Sequence, residues 1–230
     1  MSPQAKKLVF FVVAVVSLAV ALRYALRGLA AVTAGPEAEV ISLLKAAEKE
    51  LPPVSVPAGQ LLQPHAMQYG RLNVQAEGAL ATVVSTLDLD GKVGDTHVSS
   101  LGWEKVGFDR HAGVWAPSAG WAPRLAAALA VLEKRRVAIE QGQEAVLRSL
   151  QMPGQALGDL GTVWTQWAQL KKRRYRVEGW YLRSEPDRVA VTEEWHLEGD
   201  SLERPFDQKG RTSLSLVEVN GGFFFENGVL

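Results

Sequence analysis

Two tracts of this chain place an apolar residue at every second position, and a tract of helical period lies between them. That order restricts the fold more than any other feature, because side chains at i and i+2 share a face in a strand but not in a helix. In the first tract Leu72, Val74 and Ala76 alternate with Arg71, Asn73, Gln75 and Glu77. In the last, Val189, Val191, Trp195 and Leu197 face one way, and Arg188, Thr192, Glu194, His196 and Glu198 the other. Each tract reads as a sheet with one buried face.

The turn residues divide these tracts into strands. Val54 to Pro64, rich in Pro, Gly and Gln, reads as a connector, and strands begin near Met67. Leu80 to Leu89 runs into Asp90-Gly91, a dipeptide suited to a tight hairpin because both positions tolerate positive φ. His97 to Trp103 returns, and Lys105 to Arg110 pairs with Val114 to Ala116 around His111-Ala112-Gly113. The second block comprises Tyr175 to Arg183, Arg188 to Glu198, Thr212 to Asn220 and Phe223 to Glu226, with its last turn at Asn220-Gly221-Gly222.

Three helices are expected outside the N-terminal region. Glu37 to Leu51 follows Gly35-Pro36, gathers Val40, Leu44, Ala47 and Leu51 on one face, and stops at Pro52-Pro53. Pro123 opens a longer one to about Leu150, with Leu125, Leu129, Leu132, Ile139, Val146 and Leu150 at three-four spacing and Arg136 and Gln143 on the same stripe. Gly158 or Asp159 caps a third, ending near Lys172, whose buried face is Leu160, Val163, Trp164, Trp167 and Leu170. Strands in runs, rather than singly between helices, make the class α+β with antiparallel meanders. Residues 35–120 and 121–230 form two helix-plus-sheet units, or 35–230 forms one domain on a continuous sheet.

The N-terminal 34 residues are of another kind. Leu8 to Leu22 is apolar and uncharged, with Lys6 and Lys7 before it and Arg23 and Arg27 after it. A membrane-spanning helix needs about 20 apolar residues. Continuing past Arg23 and Arg27 supplies that length if their long stems carry the charges to the headgroups. On this signal-anchor reading Leu8, Phe10, Phe11, Val15, Leu18 and Leu22 meet lipid, and Arg23 and Arg27 sit at the interface. A secretory peptide cleaved at Ala19-Val20-Ala21 is the rival, and a soluble core helix the third reading. The basic leader favours a cytoplasmic N-terminus, which places the bulk of the chain in the periplasm of a bacterium, single-pass at the inner membrane or secreted after cleavage.

Charge and composition narrow the partners. Lys+Arg and Asp+Glu both number 25, so the chain lacks the basic surplus of a nucleic-acid-binding protein. Without cysteine there is neither a disulfide framework nor thiolate chemistry. No Gly-x-Ser-x-Gly, Walker A or Gly-x-Gly-x-x-Gly motif occurs, and no cofactor is implied.

Few residues suggest chemistry. His65, His97, His111 and His196 lack metal-ligand spacing and read as surface histidines. Asp88, Asp90 and Asp95 fail as a calcium loop, since the twelfth position from Asp88 is Ser99. Glu193 falls on the apolar face of its strand, where a carboxylate is either a general acid or base at a cleft or the partner of a nearby arginine. Lys171 to Arg174, with Arg176, suits a helix C-terminus or, alternatively, anionic lipid headgroups. Of seven tryptophans, Trp164 and Trp167 belong to a core, whereas Trp103, Trp115 and Trp180 stand among strand residues and could line a concave ligand site with Glu193.

The functional expectation is a membrane-tethered, non-catalytic interaction or assembly domain with a protein partner. The alternative is a small-ligand binder with a pocket between a curved sheet and a helix, comparable in architecture alone to cystatin-like or nuclear-transport-factor-like folds. An enzyme working through Glu193 or a histidine comes third. A pocket lined by tryptophan and carboxylates favours the binder or the enzyme. A filled core beside an exposed apolar patch favours the interaction domain.

Overall fold

A computed structural model of the chain describes residues 35–57, 59–153, 160–201, 204–226 and 229–230. The readings of residues 1–34 as anchor or cleaved signal, and of Gly158 or Asp159 as a cap, lie outside them. No helix among the described residues is long and apolar enough to cross a membrane.

The fold is mixed α+β. Its strands are β1 (Val54–Val56), β2 (Gln60–Glu77), β3 (Leu80–Val93), β4 (Thr96–His111), β5 (Val114–Pro117), β6 (Lys171–Ser184), β7 (Arg188–Asp200), β8 (Pro205–Val219) and β9 (Gly222–Phe225). Its helices are α1 (Pro36–Glu50), α2 (Pro123–Gln141), α3 (Glu144–Ser149) and α4 (Gly161–Ala168). One nine-stranded sheet runs β1-β2-β3-β4-β6-β7-β8-β9, with β5 also on β4. All strand pairs are antiparallel except β4 with β6, which run parallel from His97↔Gly179 to Gly102↔Ser184. A parallel pair needs a long crossover, and the helical tract between β5 and β6 supplies it.

The alternation seen in the sequence sets the two faces. Along β7, Val189, Val191, Glu193, Trp195 and Leu197 are buried together with Tyr175, Val177, Trp180 and Leu182 of β6. Helix α1 lays Val40, Leu44 and Ala47 into the same core. Tyr69 of β2 fixes that helix: its N–H donates to Glu48 (2.7 Å), its carbonyl accepts from Lys45 (3.0 Å), and its hydroxyl donates to the Trp121 carbonyl (2.6 Å).

Several expectations need correction. Val54 to Pro64 is strand rather than connector; Pro64 is tolerated because the β2–β3 register shifts between Pro64 and Ala66, a bulge that spares the missing N–H. Asp90-Gly91 is not a turn but lies inside β3, where a Cβ at Gly91 would stand 2.5 Å from the Gln63 carbonyl oxygen. The chain reverses instead around Gly94, at φ +58°.

The long helix stops at Gln141, because Gly142 adopts the left-handed conformation and the Gln143 N–H bonds back to the Ala138 carbonyl. The third helix ends at Ala168, and Lys171 to Arg174 open β6. From that strand Arg173 alone does what was expected of the basic run at a helix end. It donates to the Trp167 carbonyl of α4 (2.6 Å) and the Glu140 carbonyl of α2 (3.2 Å).

Candidate functional site

The carboxylate on the apolar face of β7 is the centre of a buried polar knot, in which Arg135 Nη2 is left without a partner. Glu193 and Arg135 are each 0 % exposed, and Arg135 Nη1 lies 2.6 Å from Glu193 Oε1. The same oxygen accepts from the Tyr175 hydroxyl at 2.5 Å, and Oε2 accepts from Trp180 Nε1 at 2.8 Å. Arg135 Nε donates to the Val229 carbonyl. Trp167, Tyr175 and Trp195 pack ring on ring beside the knot, with centroids 5.2 to 5.9 Å apart.

Burial disfavours charge on Arg135, but the adjacent Glu193 carboxylate more than offsets this and holds the guanidinium above its ordinary range. Burial likewise pushes the Tyr175 hydroxyl up, so it stays a donor. The carboxylate thus has three donors and no exposure to solvent, the arrangement of a structural ion pair.

Trp180 and Glu193 therefore come together, while the other two candidates stand apart from them. Trp103 is stacked by Arg124 at 4.9 Å, and the guanidinium also lies 5.2 Å from the Phe223 ring. Arg124 pairs with Glu218 (3.0 Å) and donates to the Ser184 hydroxyl. Beside it the buried Glu104 caps α2, accepting the N–H groups of Arg124 and Leu125 at 3.0 Å each. Burial pushes the Glu104 carboxyl up to about 7, against the pull of those N–H groups, that of Lys105, and the Arg124 charge. Trp115 is buried under Arg110, whose guanidinium lies 5.4 Å from its ring.

The open cleft is elsewhere. Because β4 meets β6 only from Gly179 onward, the stretch of β6 from Lys171 to Glu178 extends past the end of β4, and the two halves of the sheet splay. A cleft of about 840 Å³ occupies the fork, its lining including Gln60, Asp95, Glu133, Arg136, Arg176, Glu178, His196 and Lys209. Arg136 holds Glu133 with two nitrogens (2.8 and 2.7 Å) and Glu140 with a third (2.9 Å). Gln60 adds a bond to Glu133 at 2.9 Å, and Lys209 pairs with Glu178 at 3.2 Å. The hydrogen bond to Glu133 raises the Arg136 guanidinium above its usual range.

Of these cleft residues the sequence points only to Arg176, in the basic run, and to His196, among the histidines; the rest carry no motif. Their signal in the sequence was the polar interruption of an apolar stripe by Arg136, with Glu133 and Glu140 at i−3 and i+4. His196, expected on the surface, is instead buried and bonded to Asp207.

No protein-family profile matches the chain, and neither does any curated protein. Among solved structures it is similar to a ketosteroid isomerase-like protein of Shewanella frigidimarina, with TM-score 0.35 and 16 % identity over 41 % of this chain and 86 % of that one. It is also similar to an NTF2-like protein involved in plasmid conjugation, with TM-score 0.34 and 8 % identity over 74 % of this chain and 77 % of that one. At these scores, function has to be taken from the residues of the chain itself.

Proposed function

We propose that this chain is a non-catalytic interaction domain, tethered to a membrane by Leu8 to Leu22 with its bulk outside the cytoplasm, and that it engages an apolar segment of another protein at the same membrane. The observation that supports this is the closure of the concave face: Trp180 and Glu193, the pair expected to line a ligand pocket, are sealed among Arg135, Tyr175 and Trp195. Apolar surface is offered elsewhere. A shelf of about 490 Å³ lies between α1 and β5, lined by Ala38, Leu43, Gly113, Val114 and Trp115 together with the polar Glu39 and Ser42, and Val114 is 68 % exposed. Helix α1 starts at Pro36, close behind the apolar run in sequence, which supports a shelf near the tether on this reading.

Membrane fractionation and a photo-crosslinking residue test the two halves of the reading. Full-length protein should resist carbonate extraction. A crosslinker at Val114 should give one discrete protein adduct that Ala38→Asp abolishes, whereas one at Leu101, 57 % exposed, should give none. Equal adducts at both positions, or none at Val114, would overturn the docking surface. Full-length protein that is freely extracted would overturn the tether.

The polar cleft supports a second reading, since its volume suits a small polar ligand. Such a ligand would raise the melting temperature, an effect that Arg136→Ala removes and Val114→Glu leaves intact.

A further inference from the structure

The outer face of β7 and β8 gathers one imidazole and two carboxylates from three positions that are not adjacent in sequence. His196 and Glu198 are two residues apart on β7 and so share a face, and Asp207 stands opposite Glu198 on β8. Their ligand atoms all lie within 4.8 Å of one another. His196 Nε2 is 2.7 Å from Asp207 Oδ1 and 3.5 Å from Glu198 Oε1. We infer that these three residues form a binding site for a divalent first-row transition metal such as zinc, with water completing the coordination.

The geometry and the donor set both suit that ion. Metal–ligand bonds of about 2.0–2.2 Å in a tetrahedron place ligand atoms roughly 3.3–3.6 Å apart. The His196–Glu198 separation of 3.5 Å already fits, the His196–Asp207 edge of 2.7 Å has to open by about 0.6 Å, and Glu198 and Asp207, within 4.8 Å, adjust to the same range. The two side chains differ in freedom accordingly: His196 is 11 % exposed and fixed, whereas Asp207 is 70 % exposed and free to adjust. An imidazole with two carboxylates favours zinc and its neighbours over magnesium or calcium, which prefer oxygen alone.

Without metal, the short contact to Asp207 requires the imidazole proton on Nε2, which leaves Nδ1 as an acceptor facing Arg176 Nη2 at 3.4 Å. A metal takes the place of that proton and moves the hydrogen to Nδ1, so Arg176 must turn away. Its side chain is 58 % exposed, and it also holds Glu198 at 2.6 Å. Arg176 is thus the cation that neutralises Glu198 when no metal does, and it competes with one.

This competition gives the test a direction that a purely structural ion pair does not predict. Full-length protein is titrated with zinc by calorimetry and with cobalt, whose visible absorption reports coordination. One saturable equivalent is expected. Asp207→Asn, a change at an exposed position that spares the fold, should weaken binding about tenfold or more. Arg176→Ala should tighten it several-fold, and Asp90→Asn, beside His97 on the other half of the sheet, should leave it unchanged. Absence of saturable binding, binding indifferent to Asp207→Asn, binding lost with Asp90→Asn, or binding weakened by Arg176→Ala would each overturn the assignment.

Discussion

Replacing Glu193 with glutamine keeps the volume of the side chain but removes its charge and turns one of its two accepting oxygens into a donor, set against either Trp180 or the Arg135 and Tyr175 pair. Arg135 then keeps a positive charge at 0 % exposure with no counter-charge against it. Breaking a buried pair by removing one partner costs about 3–5 kcal/mol, because the survivor is left desolvated and unmatched. The Val229 carbonyl and the Tyr175 hydroxyl still touch the guanidinium, but neither carries charge to balance it. Against a usual domain stability of about 5–15 kcal/mol, such a loss is a large share of the whole. It lowers the melting temperature by roughly 6–20 °C for a domain of this size.

Urea unfolding followed by tryptophan fluorescence is the assay, since Trp180 donates to the carboxylate itself and Trp195 and Trp167 lie beside it. The transition midpoint should fall with its slope unchanged, as expected when stability changes and the unfolded ensemble does not. The decisive comparison is the double variant Arg135→Met/Glu193→Met, in which both charges give way to apolar side chains. Removing a buried pair together is often neutral or stabilising. The double variant should therefore be more stable than Glu193→Gln alone, a coupling read directly from the cycle with Arg135→Met. A cost for Glu193→Gln below about 1 kcal/mol, or a double variant as unstable as the sum of the singles, would show that the pair is not what holds this face together.

Two further outcomes concern Glu104 and two glycines of β4 and its turn. Glu104, raised from 4.5 to about 7 by burial, binds a proton in the folded chain that it would release when unfolded. Its contribution is thus fully present below about pH 4.5 and lost as the pH rises through 7. Relative to Glu104→Gln, the wild type should lose about 3 kcal/mol over that window, and parallel denaturation curves with pH would refute it. At Gly102, φ is +136° and a Cβ would meet the Ser184 carbonyl oxygen at 2.0 Å, whereas at Gly94, φ +58°, it would meet nothing within 4 Å. Gly94→Ala should cost about 1–2 kcal/mol for backbone conformation alone. Gly102→Ala should cost clearly more, by calorimetric melting, because the parallel β4–β6 join must open as well.

Much of the fold was legible because alternation and helical spacing survive in the sequence wherever one face of an element is buried. Four strands run from Lys171 to Phe225 as the period of two put them, although the first begins at Lys171 rather than Tyr175 and the third at Pro205 rather than Thr212, and Asn220 and Gly221, at φ 51° and 79°, form the expected turn. What misled was punctuation read without its tertiary setting. Gly91 is a glycine because the Pro64 bulge presses on it, not because the chain turns there. The apolar spacing from Ile139 to Val146 runs across Gly142 without a break, yet the left-handed residue stops the helix and the spacing resumes in a separate one.

The candidate sites divide along the same line. Glu193 on an apolar face was legible as a carboxylate in need of a partner, since strand alternation alone puts it there. That its partner is Arg135, and not the neighbouring Arg136, depends on how α2 rolls against the sheet: Arg135 meets β7, and Arg136 reaches the open fork where β4 ends. The fork follows from the register of one parallel pairing, which no local pattern encodes. The His196–Glu198–Asp207 group likewise depends on the β7–β8 register, because a slip of one residue would turn Asp207 to the other face. The inner face of this sheet is thus spent on holding the fold together, and the clefts and side-chain clusters left open lie where pairing stops or where two strands are brought side by side: the fork, the β5 edge, and the outer face of β7 and β8.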